Sequence, residues 1–197
     1  MRKKKDFEAV EKLTRRAFYN VYVPGCTEHY LIRLMREHED FIPALDFVLE
    51  DEGRIIGNIM YTKATLTDET GFVKNILTFG PVCVALEHQR KGLGKMRMEQ
   101  SDQAAARPAD ETIVIFGSPA VYVSQGFKSC RKFNVCIEKG IFPGALDGRR
   151  WLYQSSPVMA ISEDEANAYD DTLEPMEKKY QPSQDEFYIM SHSFVQD

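Results

Sequence analysis

Residues 82–95 read VCVALEHQRKGLGK, an alternating apolar run that stops at a charged turn with glycines at 92 and 94. A loop that leaves a strand and opens a helix exposes main-chain N–H groups with no helical partners. These groups converge, and the helix dipole adds partial positive charge at the same point. Such a turn suits a phosphate. Glycines at 92 and 94 keep Cβ atoms out of the anion's way, and Arg90, Lys91 and Lys95 add cationic charge. A diphosphate is the expected ligand. Two better-known phosphate loops do not fit. The dinucleotide fingerprint requires glycine or alanine where Arg97 stands. A P-loop requires Ser or Thr after Gly94-Lys95, and Met96 stands there.

Outward from this turn, Leu93–Ala106 reads as a helix, with Arg97 and Asp102 where its sheet-facing side would be apolar, and Pro108 as its stop. Upstream, Val73–Leu86 reads as one long strand interrupted at Gly80-Pro81, where a proline implies a bulge or an edge. Asp46–Glu50 and Arg54–Thr65 read as a hairpin around Asp51-Glu52-Gly53, and Asp68–Gly71 as a second turn. Asp6–Tyr19 has apolar residues at helical spacing. A second helix runs from a Thr27 cap to about His38, with Tyr30, Leu31, Leu34 and Met35 inward. Downstream, Thr112–Phe116 is a short apolar strand, 119–125 a short helix and Phe133–Glu138 a further strand. Strand, helix and strand in that order imply a locally parallel pair within a mixed sheet. After Gly140, Pro143-Gly144 and Asp147-Gly148 mark loops. Ser162 with Glu165, and Ser183 with Glu186, are capping boxes that open two late helices.

The chain's 197 residues suffice for one domain with an elaboration. No apolar run is long enough to span a bilayer, and the basic start lacks the apolar stretch of an export signal, so a cytoplasmic setting is expected. Cys26, Cys83, Cys130 and Cys136 form no CxxC pair, and the histidines have no metal-ligand spacing; reduced thiols and no metal are expected. Net charge is −5, with −8 after Pro157 and +3 before it, which is not the basic face of a nucleic-acid binder. The acidic tail reads as solvated helix faces or as an attraction for a cationic partner.

V-x-V, then Gln89-Arg90-Lys91-Gly92-Leu93-Gly94 between a strand and a helix, resembles the Q/R-x-x-G-x-G/A signature of the GNAT superfamily, the acetyl-CoA-dependent N-acetyltransferases. Tyr122, four residues before Gly126-Phe127, matches a second signature of that family, and the resemblance covers about Asp6 to Glu138. It implies an α/β (α+β) fold: a mixed, mostly antiparallel sheet with a splayed parallel strand pair, flanked by helices. A GNAT domain over 1–140 would be followed by an extension over 141–197 of loop, strand and two helices packed on it. The main chain of Val82, Cys83 and Val84 would pair with pantetheine, and one of these N–H groups would polarise the thioester carbonyl. Residues Gln89, Arg90, Lys91, Gly92, Leu93, Gly94 and Lys95 would hold the pyrophosphate, and Ser118 would reach the pantetheine arm. Tyr122 would protonate or orient the departing thiol. The implied reaction is acetyl transfer from acetyl-CoA to a primary amine, on a small molecule or a peptide, by direct attack. Neither nucleic acid nor a membrane is an expected partner, and dimers are common among such proteins.

From the residues alone, Tyr122 also reads as a core aromatic, and Cys83, within an apolar run, as a buried structural thiol. Glu87 and His88 read as solvated loop residues, so no general base is identified. Two further readings remain at this level: a non-catalytic CoA-binding module acting as a sensor, and a structural protein that keeps the fold without the cofactor.

Overall fold

The computed structural model describes residues 4–21, 24–89, 112–116, 122–123, 126–137 and 151–176. The helix expected over 93–106, with Arg97 and Asp102, and the late helix opened by Ser183 lie outside them.

Helix α1 (Lys4–Phe18) and helix α2 (Glu28–Glu37) form an antiparallel pair on one face of the sheet. In α1 the residues Val10, Leu13 and Thr14 are buried at helical spacing. The cap of α2 differs from expectation. Thr27 is itself near-helical (φ −98°, ψ −28°), so its side chain caps nothing; its hydroxyl donates to the Glu28 carboxylate at 3.3 Å. The inward face is also rotated. His29, Ile32 and Met35 are the buried residues, whereas Tyr30, Leu31 and Leu34 are half-buried. The reason is tertiary: α2 is covered on one side by α1 and the sheet and on another by a late helix, α3 (Glu163–Asp170).

Strands β1 (Phe41–Asp51) and β2 (Arg54–Asp68) form the expected hairpin, with Asp51 paired to Arg54. Both turn residues have positive φ, Glu52 at 46° and Gly53 at 76°, the geometry that matches strand twist in a two-residue hairpin. Strand β1 starts five residues earlier than its apolar pattern suggests, and Pro43 sits within the register shift between Phe41 and Asp46. The next turn is closed by the Asp68 carboxylate, which accepts from Thr70 N–H at 2.8 Å and Phe72 N–H at 2.9 Å.

The long strand expected over 73–86 is β3 (Val73–Phe79) and β4 (Cys83–Val84), both antiparallel to β2. Tyr61 pairs with Phe79 but Asn58 with Cys83, so one extra residue is accommodated at Gly80-Pro81, the bulge the proline implies. Segment 112–116 joins β3 by a parallel bridge at Leu77 and Ile113. Of the strand expected over 133–138, Phe133 ends a 3₁₀ turn (Cys130–Phe133), among the described residues β5 (Val135–Cys136) is extended, and Glu138 lies outside them. Strand β6 (Trp151–Ser155) pairs antiparallel with the second half of β2 and parallel with β5, so residues after 141 supply a strand of the same sheet. The Ser162 hydroxyl caps α3 by accepting from Glu165 N–H at 3.1 Å, as its sequence pattern requires.

Alternate residues of β2 divide the core. Ile56 and Met60 meet α1 and α2. Ile59 and Tyr61 point the other way, to Phe79, Val82, Ile113 and Tyr122. No helix among the described residues is long and apolar enough to cross a membrane.

Candidate functional site

Strand β4 borrows one edge from β2 and leaves the other for something else. Ala85 N–H donates to Ile56 C=O on β2 at 2.8 Å, while Val84 C=O, one residue earlier, accepts from the Gln89 side chain at 3.1 Å. Main-chain groups alternate along an extended strand, so Val84 presents its own away from β2 and Cys83 presents its own toward it.

Across from that edge lies segment 112–116. Among the described residues it pairs with β3 at Leu77, whose N–H donates to Thr112 C=O and whose C=O accepts from Val114 N–H, both at 3.0 Å. Segment 112–116 and β3 thus run parallel at Leu77, just before the bulge that leads from β3 into β4.

Side chains alternate as well. Cys83 and Ala85 pack under α1 against Leu13 and Ile56. The Cys83 sulfur lies 3.5 Å from the Thr14 hydroxyl, and burial raises its pKa to about 11. At neutral pH it is a thiol, the inert structural role. Val82 joins the opposite cluster, which contains Tyr122.

Tyr122 is half-buried, with its ring 6.1 Å from that of Phe79 and 5.7 Å from that of Phe127. The spacing from this tyrosine to Gly-Phe has a local cause. Phe127 N–H donates to Tyr122 C=O at 3.2 Å and Gly126 N–H to Val123 C=O at 3.1 Å. Gly126 sits at φ +91°, and Tyr122 touches Phe127. These are the two bonds, the left-handed residue and the apolar contact of a Schellman helix stop. The motif therefore terminates a helical turn and, in doing so, fixes the tyrosine ring beside Phe79 at the end of β3. A cavity of about 330 Å³ borders Tyr122 and segment 113–116.

Of the remaining expected site residues, Gln89 is exposed at the end of the 3₁₀ turn Leu86–His88. Arg90, Lys91, Gly92, Leu93, Gly94, Lys95 and Ser118 lie outside the described residues. Glu87 is exposed and His88 half-buried. Among the described residues no group of three or more His, Cys, Asp or Glu is placed to hold a metal ion.

One cluster has no counterpart in the sequence reading. Arg15 on α1 donates through Nε to Asp170 Oδ1 at 2.6 Å, and His29 Nε2 lies 3.4 Å from the same oxygen. The histidine is 1% exposed, and burial above all lowers its pKa to about 4; Asp170 opposes that shift and Arg15 adds to it. A larger cavity, about 930 Å³, opens beside this cluster rather than beside Tyr122. The only sequence signals were a histidine on an apolar helix face and an arginine in a buried row, and neither names a partner.

Comparison with known proteins bears on the family and the fold. The family model for the acetyltransferase (GNAT) family matches residues 8–127. A curated relative, the uncharacterized N-acetyltransferase YjhQ of Escherichia coli (strain K12), is 28% identical over 101 residues, 51% of this chain and 55% of the relative. The match thus spans about half the length of that relative. Two solved structures share the fold at 20% identity. One is a GNAT family acetyltransferase from Brucella melitensis in complex with acetyl-CoA, with a TM-score of 0.57 over 81% of this chain and 95% of that one. The other is a GNAT family N-acetyltransferase (YhbS) from Escherichia coli in complex with CoA, with a TM-score of 0.56 over 80% and 81%.

Proposed function

The chain belongs to the acetyltransferase (GNAT) family, and we propose that it transfers the acetyl group of acetyl-CoA to a primary amine by direct attack in a ternary complex. The observation that carries this reading is the outward main-chain edge at Val84, on the side where segment 112–116 joins β3 in parallel at Leu77. An amide-bearing arm can add to such an edge as another strand would. Acetyl-CoA fits the edge in that respect, and when bound it supplies an activated thioester.

Val84 and Val82 carry the main-chain pairing in this proposal, and an N–H of that edge stabilises the oxyanion that forms on acyl attack. Cys83 instead serves by packing β4 under α1. Residues 89–95 take the diphosphate. Tyr122 donates a proton to the leaving thiolate or orients its sulfur, held for the task by Phe79 and Phe127. The help needed is modest, because a thiol ionises near pH ~8.5, whereas an alkylammonium, at ~10.4, must first lose a proton. Water or the acceptor's own surroundings remove that proton in this proposal, since Glu87 and His88 sit on an exposed turn.

The test is titration of the full chain with acetyl-CoA, followed by thiol release across a panel of primary amines. Saturable binding with amine-dependent release supports the reading. Binding without release for any amine leaves a CoA-binding module, and no binding at near-millimolar ligand removes the cofactor assignment altogether.

A further inference from the structure

Thr14 and Arg15, neighbours on α1, meet different parts of the fold. Thr14 contacts the Cys83 thiol on β4, with Leu13, Ala17 and Phe18 packed around the same strand. Arg15 points outward to the C-terminal segment. Its Nε donates to Asp170 Oδ1 at 2.6 Å, Nη1 to Glu174 C=O at 2.6 Å, and Nη2 to Asp170 C=O at 3.4 Å. A single guanidinium thus ties the end of α3 and the residues after it to the helix that covers β4.

Three observations make this a clasp rather than a surface ion pair. Arg15 and Asp170 are 9% and 7% exposed, so the pair is little screened and expensive to leave half-made. The α1–α2 turn sits close under α3: a Cβ at Gly25 would lie 3.3 Å from Asn167 Oδ1, and Gly25 has φ +82°. Beside Gly25, Asn20 fastens that turn by accepting from Gly25 N–H at 2.7 Å. His29 Nε2 lies 3.4 Å from the same Asp170 oxygen, and as a neutral ring at pH 7 it leaves the carboxylate's charge to Arg15.

We propose that Arg15 and Asp170 are positioning residues: through them the C-terminal segment holds α1 down on β4 and so sets the strand edge that faces the cofactor. Neither residue touches that edge, and their effect passes through Thr14, Leu13 and Cys83. The reading of Val84's edge as a cofactor edge rests on the function proposed above. The clasp itself does not, and it has its own reporter. The Cys83 thiol is buried only as long as α1 stays in place, whereas Cys136 is buried on β5, away from α1.

The experiment is maleimide labelling of the native full chain at neutral pH, read cysteine by cysteine by mass spectrometry, together with steady-state kinetics. Arg15→Ala and Asp170→Ala should each speed labelling of Cys83 by about tenfold or more relative to Cys136, because α1 then opens locally. The double variant should show no more than the stronger single, as expected of two halves of one contact. Asp170→Asn keeps an oxygen for Arg15 Nε and should restore most of the protection. In kinetics, Arg15→Ala should lower turnover more than acetyl-CoA affinity. Unchanged Cys83 labelling, equal acceleration at Cys83 and Cys136, or additive single effects would each overturn the clasp. A wild-type chain that does not bind acetyl-CoA would remove the cofactor role and leave the labelling pattern to decide the clasp alone.

Discussion

His29 should make the stability of this protein fall steeply on mild acidification. Its imidazole is 1% exposed, packed among Arg15, Asp170 and the Tyr169 ring, with the Cys26 main chain and Glu28 at the start of its own helix. Burial lowers its pKa from 6.5 to about 4. An unfolded chain therefore binds a proton at this site between about pH 6.5 and about pH 4 that the folded chain refuses. More protons on the unfolded state means stability rises with pH, so it is lost as pH falls through that window. At 1.36 kcal/mol per pH unit the full window is worth roughly 3 kcal/mol, a large part of the stability of an ordinary domain. The assay is urea unfolding at pH 7, 6, 5 and 4.5, for the wild type and for His29→Gln, which cannot titrate there. Carboxylates common to both chains cancel in the difference. The wild type should lose about 2 kcal/mol more than the variant between pH 7 and pH 5. Parallel curves for the two proteins would refute the burial argument, since they would mean that His29 takes up its proton equally readily in both states.

Two further substitutions separate catalysis from architecture at the motif around Tyr122. Tyr122→Phe keeps the ring contacts with Phe79 and Phe127 and removes only the hydroxyl, so turnover should fall while acetyl-CoA affinity stays nearly unchanged; equal losses in both would assign the tyrosine to structure. Gly126→Ala meets no atom of the described residues within 4 Å of its new Cβ but must hold φ +91°, so it should cost about 1–2 kcal/mol, read as a lower thermal midpoint. An unchanged midpoint would mean that the helix stop does not depend on glycine.

The parts of the fold that sequence reading reached share a short range. The hairpin at Asp51–Arg54, the turn led by Asp68, the bulge at Gly80-Pro81 and the Ser162 cap are each set by residues within a few positions of one another. Their chemistry is local, so it is visible in a string. The same holds for the helix stop that joins Tyr122 to Gly126-Phe127, although the sequence did not disclose that the motif is a stop. What was misjudged lay at longer range. The deepest face of α2 is turned toward His29, Ile32 and Met35 because α3, more than a hundred residues later, covers it.

By itself, then, the sequence determined the periodicities, the turns and the family signature, because backbone geometry and hydrogen-bonding chemistry act between near neighbours. Only the tertiary structure decided which residues of β4 turn their main chain outward, and that Cys83 faces α1 while Val82 faces Tyr122. It alone paired Arg15 with Asp170 across 155 positions. Those choices follow from which surfaces are left to cover once the sheet has formed, and a linear pattern does not carry that information.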